Sequence, residues 1–236
     1  MSFNIEQKKQ ENEALRVVAF GSSNTQRYTT GMHWFDYVEM AYKNVRNKAG
    51  LFINSGISGN TTDDLLERFD RELVLLQPHL VIITIGGNDC NPLKNVPLDK
   101  YKDNLRELHR KITALGTDII FQTYYACDLE RLRGDQPQRA EDVLEYMQAI
   151  RDMAAELDCP LIDHYARWQK LLEHDVKVYR SMMKDPLHVN ALGNMVLGLD
   201  IIDFFGLKLG AERIEEHEKY CNEGLIIKSY LDKLAE

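Results

Sequence analysis

Apolar residues along this chain fall into two alternating patterns. Five short segments rich in β-branched or aliphatic residues, Arg16 to Phe20, Leu51 to Asn54, Leu80 to Ile85, Asp118 to Tyr124 and Pro160 to Asp163, mostly run into Gly, Ser, Asn or Asp and read as strands. Longer stretches between them carry apolar residues at helical spacing, such as Trp34, Val38, Ala41 and Val45, and later Leu105, Leu108, Ile112 and Leu115. Strand and helix therefore alternate. Parallel neighbours cannot be joined by a tight turn and need a crossover, so the alternation predicts an α/β fold, one parallel sheet of five strands layered between helices. No internal repeat or low-complexity segment interrupts it, and a single domain accounts for the pattern. Positions 128–138, charged and containing Gly134 and Pro137, are expected to form an exposed loop at a strand's carboxyl end. Gly206 and Gly210 punctuate the last core helix. Beyond them Ile214, Tyr220, Leu225, Ile226, Tyr230, Leu231 and Leu234 lie among charges, the pattern of an appended helical tail that packs on its own domain or on a partner, leaving a homo-oligomer open.

Composition narrows the function classes. With 44% hydrophobic and 28% charged residues the 236-residue chain is an ordinary globular one, and a formal charge of -8 without any Lys/Arg run disfavours a nucleic-acid partner. The longest strongly apolar run, from Leu80 to Ile85, is far short of the roughly 20 residues that span a bilayer, so no membrane partner is expected. The first fifteen residues form a polar segment (1–15) without the apolar stretch of an export signal, which predicts a cytoplasmic protein. Cys90, Cys127, Cys159 and Cys221 are scattered, with neither zinc-site spacing nor disulfide density, and read as reduced thiols.

Candidate chemistry sits at the strand ends. The first strand runs into Gly21-Ser22-Ser23-Asn24-Thr25, where a sharp turn lifts a hydroxyl above the sheet edge, although Ser, Asn and Thr also cap helices routinely. The second ends in Asn54-Ser55-Gly56-Ile57-Ser58-Gly59-Asn60, whose glycines either leave a backbone N–H unscreened for an anion or simply turn the chain ahead of a helix capped by Thr61 or Thr62, with Asp63 and Asp64 in its first turn. After the third comes Gly86-Gly87-Asn88-Asp89, in which the Asn amide is a donor on a short stem or a plain turn former. Near the end, Asp185-Pro186-Leu187-His188 lets a carboxylate fold back on an imidazole, or is a surface loop. Three of the four motifs lie at carboxyl ends of successive predicted strands, where open parallel sheets bind ligands, and the fourth supplies a base.

In this order the four pieces resemble the signature blocks of the SGNH hydrolases, also called the GDSL esterase and lipase superfamily. The resemblance covers Arg16 to Gly206, giving a hydrolase domain at 16–206 and a C-terminal extension at 207–236, and it implies a flavodoxin-like three-layer fold. It also implies Ser23 as nucleophile, His188 as general base and Asp185 as its orienting acid. The oxyanion hole would be formed by the backbone N–H groups of Ser23 and Gly59 and the Asn88 side chain. No metal or organic cofactor is implied. Where the family has Gly-Asp-Ser, this chain has Gly21-Ser22-Ser23, which puts turn rigidity and local charge in question rather than the nucleophile. Val189 likewise stands where the last block commonly has Pro. The expected activity is hydrolysis of short-chain, acetyl-type esters, on carbohydrates as one class, with Tyr28, His33, Trp34, Tyr124 and Tyr125 as candidate rim residues. Lysophospholipase or thioesterase activity is the alternative within the family; an inactive ligand-binding relative and a flavodoxin-like phosphate binder are the alternatives outside catalysis.

Overall fold

A computed structural model describes residues 14–27, 31–46, 50–207 and 218–235. Its centre is a sheet of five parallel strands in the order β2-β1-β3-β4-β5: β1 (Leu15–Gly21), β2 (Gly50–Gly56), β3 (Leu80–Thr84), β4 (Asp118–Gln122) and β5 (Leu161–Ile162). All five residues of β3 are buried, as expected of a central strand covered on both faces and written in Leu, Val, Ile and Thr without alternation. Helices α1 (Trp34–Arg46), α2 (Thr62–Glu67), α3 (Leu98–Ala114), α4 (Leu129–Asp135) and α5 (Pro137–Glu156) make the crossovers. From β1 the chain steps one way to β2 through α1, whereas α3 and α5 carry it the other way from β3 to β4 and β5. Right-handed crossovers then place α1 and the α3–α5 pair on opposite faces, which is the α/β/α arrangement expected. α6 (His164–His174), α7 (Val176–Ser181) and α8 (Ala191–Phe204) follow β5, with α8 packed on α1.

The strand order reverses at β1, so a crevice opens where β1 and β3 end. Four details differ from the sequence reading. Positions 128–138 are helical: Asp128 caps α4 by accepting the Arg131 N–H at 3.3 Å, Leu132 is buried beneath it, and Pro137 begins α5, a position where its missing N–H costs nothing. β4 ends at Gln122, so Tyr124 and Tyr125 leave the sheet and close on the crevice. Leu115, the expected end of the α3 stripe, is the residue that caps the helix's carboxyl end and is 40% exposed. The Asp185–His188 segment is a two-stranded antiparallel hairpin, β6 (Met183–Asp185) and β7 (His188–Val189), with Asp185 directly opposite His188. The tail contains α9 (Glu218–Ala235), which packs on α6 and α8 and buries Ile227 and Leu231, while Leu225, Ile226 and Tyr230 face outward. Gly210, Ile214 and Tyr28 lie outside the described residues, as do the side chains of Val45, Tyr220 and Cys221. No helix of the described residues is long and apolar enough to cross a membrane.

Candidate active site

Residues after β1 make one tight turn, the Thr25 and Gln26 N–H groups bonding back to Ser22 O at 3.1 and 2.9 Å, rather than the start of a helix; α1 begins only at Trp34. The turn buries Ser22 completely and leaves Ser23 half-buried on the crevice. Ser23 Oγ lies 2.9 Å from His188 Nε2, and His188 Nδ1 lies 2.9 and 2.8 Å from the two oxygens of Asp185. The Leu187 N–H donates to Asp185 Oδ1 at 2.8 Å, fixing the carboxylate within its own turn. Partial burial disfavours the charge on Asp185, but hydrogen bonds from His188 and from backbone N–H groups outweigh it and hold the carboxyl below its ordinary value. With Asp185 ionised, Nδ1 carries the ring proton and Nε2 presents a lone pair to the serine hydroxyl.

The hairpin is tied to the nucleophile turn by its neighbours. Tyr125 donates its hydroxyl to Asn24 Oδ1 at 2.9 Å and also reaches Leu187 O, while Asn24 Nδ2 donates to Leu187 O at 3.3 Å. On the other flank, Asn24 O accepts from His33 Nε2 at 3.1 Å and from Trp34 Nε1 at 2.9 Å. Both rings are buried, at 4% and 1% exposure, and support the turn from within; His33 also lines a pocket beside Ser23, Gln26 and His188. Burial lowers the His33 pKa to about 4; a neutral ring donating through Nε2 and accepting the Phe35 N–H on Nδ1 at 3.2 Å fits this. Tyr124 and Tyr125 are buried too, but they line the cleft together with Ser23, Asn88 and His188.

Asn88 is the second donor group at the cleft. One amide hydrogen of its Nδ2 goes to Asn60 O at 2.9 Å, and the Arg139 guanidinium donates to its Oδ1 at 3.3 Å. The bond to Asn60 O joins Asn88 to the loop of Gly59, whose φ of +81° is a conformation that L side chains rarely adopt. That loop is fastened to β1 by the Ile57 N–H bond to Gly21 O at 3.1 Å. Gly59 does not itself line the cleft described. As expected, Thr61 caps α2 and Asp63 and Asp64 occupy its first turn; the Asp64 carboxylate accepts the Thr61 N–H at 2.7 Å.

Sequence reading assigned no supporting role to four residues that hold the site together. Arg68 is 5% exposed, donates to Gly21 O and Ser55 O at 2.9 Å each, and lies 4.4 Å from the Phe20 ring centre, so it fastens the ends of β1 and β2 to each other. Asp89 is buried under α2, with Oδ1 accepting the Thr62 N–H at 2.9 Å and the Thr62 hydroxyl at 2.6 Å. Tyr124 bonds through its hydroxyl to Ser22 Oγ at 2.9 Å. Arg139 reaches the Gly87 carbonyl as well as Asn88. Asp89 stands within a quoted motif and Tyr124 is named only as a candidate rim residue; Arg68 and Arg139 lie outside every motif. Cys90, Cys127 and Cys159 are free thiols, and burial raises the Cys127 thiol beside the cleft to about 12, which keeps it protonated. Among the described residues no group of three or more His, Cys, Asp or Glu is arranged to hold a metal ion.

A parallel sheet with a serine, an imidazole and a carboxylate in one hydrogen-bonded chain at its switch point has the form of a serine-hydrolase site. Residues 19–196 match the GDSL-like Lipase/Acylhydrolase family model. The chain belongs to that family, and so to the SGNH hydrolases, a superfamily of carboxylic ester hydrolases. Among its relatives is an acetylxylan esterase of Geobacillus stearothermophilus, 29% identical over 154 residues, which cover 61% of this chain and 67% of that protein. Another is the isoamyl acetate-hydrolyzing esterase 1 homolog of Mus musculus, 28% identical over 215 residues and 83% of each chain. The crystal structure of Axe2, an acetylxylan esterase from Geobacillus stearothermophilus, superposes with a TM-score of 0.70 at 24% identity, over 84% of this chain and 97% of that one, which establishes the common fold.

Proposed function

We propose that the protein is a serine esterase that hydrolyses short-chain, acetyl-type esters, with acetylated carbohydrates as one substrate class. The observation that carries this reading is the continuous chain Ser23 Oγ, His188 Nε2, His188 Nδ1, Asp185, with distances of 2.8–2.9 Å, beside the Asn88 amide. In the proposed reaction His188 Nε2 takes the Ser23 proton as Oγ attacks the ester carbonyl, and Asp185 stabilises the imidazolium that forms. The carbonyl oxygen, now an oxyanion, takes hydrogen bonds from the Ser23 and Gly59 N–H groups and from the second hydrogen of Asn88 Nδ2. His188 returns the proton to the leaving alcohol, and water then hydrolyses the acyl-serine by the same steps in reverse order of roles. A small acyl group is supported by the closeness of the cleft walls, where Tyr124, Tyr125 and Leu187 stand beside Ser23. Two relatives, an acetylxylan esterase and an isoamyl acetate-hydrolyzing esterase homolog, both carry names that specify acetyl esters.

The test combines labelling and chain-length preference. A fluorophosphonate probe followed by peptide mapping is expected to label Ser23, and hydrolysis of p-nitrophenyl esters is expected to fall from acetate to decanoate. Label on Ser22, or none, would overturn the site assignment; faster turnover of decanoate would overturn the acyl preference in favour of a lipase or lysophospholipase.

A further inference from the structure

Arg139 stands at the amino end of α5, half-buried, with its guanidinium in the wall of the cleft that holds Ser23 and His188. Its Nε donates to the Gly87 carbonyl at 2.9 Å and Nη2 reaches the same oxygen; Nη2 also donates to Asn88 Oδ1 at 3.3 Å, and Nη1 to Gln136 Oε1 at 2.9 Å. Each of these acceptors is neutral. No ion pair of Arg139 with a carboxylate is found among the described residues, although most other arginines of the fold are paired. A positive charge without a carboxylate partner among the described residues thus sits behind the Asn88 amide in the wall of the cleft that holds Ser23 and His188.

The Asn88 amide is pinned from both ends. Arg139 can only donate, so it demands the amide oxygen, and Asn60 O can only accept, so it demands the nitrogen. A flipped amide would set donor against donor and acceptor against acceptor. The correct orientation leaves one Nδ2 hydrogen for the cleft. We propose that Arg139 is a positioning residue for ester hydrolysis, which locks the Asn88 amide with its N–H toward the oxyanion and, by drawing on Oδ1, makes that N–H a stronger donor as negative charge develops. The inference rests on the esterase reading and deepens it. A direct grip on an anionic substrate group is the competing role, and the hydrogen-bond inventory disfavours it. Four of the five guanidinium N–H donors are already engaged, which leaves no free pair for a bidentate contact.

The experiment is a double-mutant cycle on p-nitrophenyl acetate, a neutral ester, using Arg139→Gln, Arg139→Lys, Asn88→Ala and the Arg139→Gln/Asn88→Ala pair, with melting temperatures recorded alongside. Arg139→Gln is expected to lower kcat about tenfold with KM within about twofold, because only transition-state charge is affected. In the Asn88→Ala background the same change is expected to cost less than about twofold, because the residue it acts through is gone. Arg139→Lys, which keeps the charge and a donor, is expected to recover part of the loss. A tenfold loss persisting in both backgrounds, or a loss confined to KM, would overturn the proposal, since either means that Arg139 acts independently of Asn88. The rate of fluorophosphonate labelling at Ser23 provides a second reading of the same cycle without a chosen ester. A wild-type protein that is neither labelled nor active would overturn the esterase reading and this inference with it. A labelled wild type with independent losses would overturn this inference alone.

Discussion

Ser22 and Tyr124 meet through their hydroxyls at 2.9 Å in the interior of the site, one residue before the proposed nucleophile and two beyond the end of β4. The Gly-Asp-Ser block that Gly21-Ser22-Ser23 resembles has an acidic residue where Ser22 stands. Here a neutral hydroxyl pair ties the turn after β1 to the segment after β4, and burial lifts the Tyr124 phenol to about 12, so the pair stays uncharged throughout the neutral range. Ser22→Ala is expected to cost about 1 kcal/mol of stability, the worth of one buried hydrogen bond, and to change kcat only a few-fold. Chemical denaturation and steady-state rates on one preparation check both values. A loss of activity as deep as that of Ser23→Ala would give Ser22 a chemical role and move the nucleophile assignment.

The ring of Tyr124 explains Gly87. A Cβ added at Gly87 would sit 2.0 Å from Tyr124 Cε2 and 2.9 Å from Cζ, and the ring is buried, so it has nowhere to retreat. Gly87→Ala is therefore expected to push Tyr124 off Ser22 and destabilise the fold by about 1–3 kcal/mol, the usual cost of overpacking. Because Asn88 follows directly, activity is expected to fall further than stability alone accounts for. Melting curves and kcat for Gly87→Ala and for Gly87→Ala/Tyr124→Leu are the measurement. Failure of the smaller side chain to recover stability would show that the clash is not the cause.

Two buried titrating groups near the site oppose each other. Burial raises Asp89 to about 6, and its Oδ2 has no hydrogen-bond partner; burial also lowers His33 to about 4. Asp89 holds its proton more tightly when folded, so its contribution to stability is present below pH 4 and lost as the pH rises through 6. His33 holds its proton less tightly when folded, so its contribution is present above its ordinary value near 6.5 and lost as the pH falls toward 4. In the window between, the two slopes cancel in part. Asp89→Asn removes one of them, and its stability relative to wild type is expected to rise by about 1–3 kcal/mol between pH 4 and pH 6.5. Urea midpoints across that range measure it, and a constant offset would refute it.

Local patterns made much of this architecture legible. β1 and β3 are read correctly because buried parallel strands are written as unbroken aliphatic runs, and Ser23, Asn88, Asp185 and His188 stand out because each lies within a few residues of a turn-forming Gly, Asn or Pro. What the chain hides is whatever depends on distant contacts. Arg68 and Arg139 belong to no motif in the sequence, and only the sheet's topology carries them to Gly21 O and Gly87 O. The α4 segment reads as a loop because Arg, Glu and Asp dominate it, yet Leu, Arg and Glu are also good helix formers once Asp128 caps them. The β6–β7 hairpin is too short, at three and two residues, for any alternation to show.

Asp185 and His188 face each other across that hairpin, and the pairing defines a test of the proton path. The Leu187 N–H fixes Asp185 Oδ1 at 2.8 Å, so an Asn at this position keeps its oxygen there and turns its NH2 toward His188 Nδ1. That nitrogen must then accept, the ring proton shifts to Nε2, and the atom facing Ser23 Oγ becomes a donor where the reaction needs an acceptor. Size and hydrogen-bond count are preserved, so the melting temperature of Asp185→Asn is expected to stay within a few degrees of wild type. The rate is not preserved: kcat is expected to fall by about 10³–10⁴, as in other triads whose orienting acid is made an amide. Turnover and melting measured together separate the two effects. Activity within tenfold of wild type would mean that His188 draws its tautomer from elsewhere and that Asp185 serves only the hairpin.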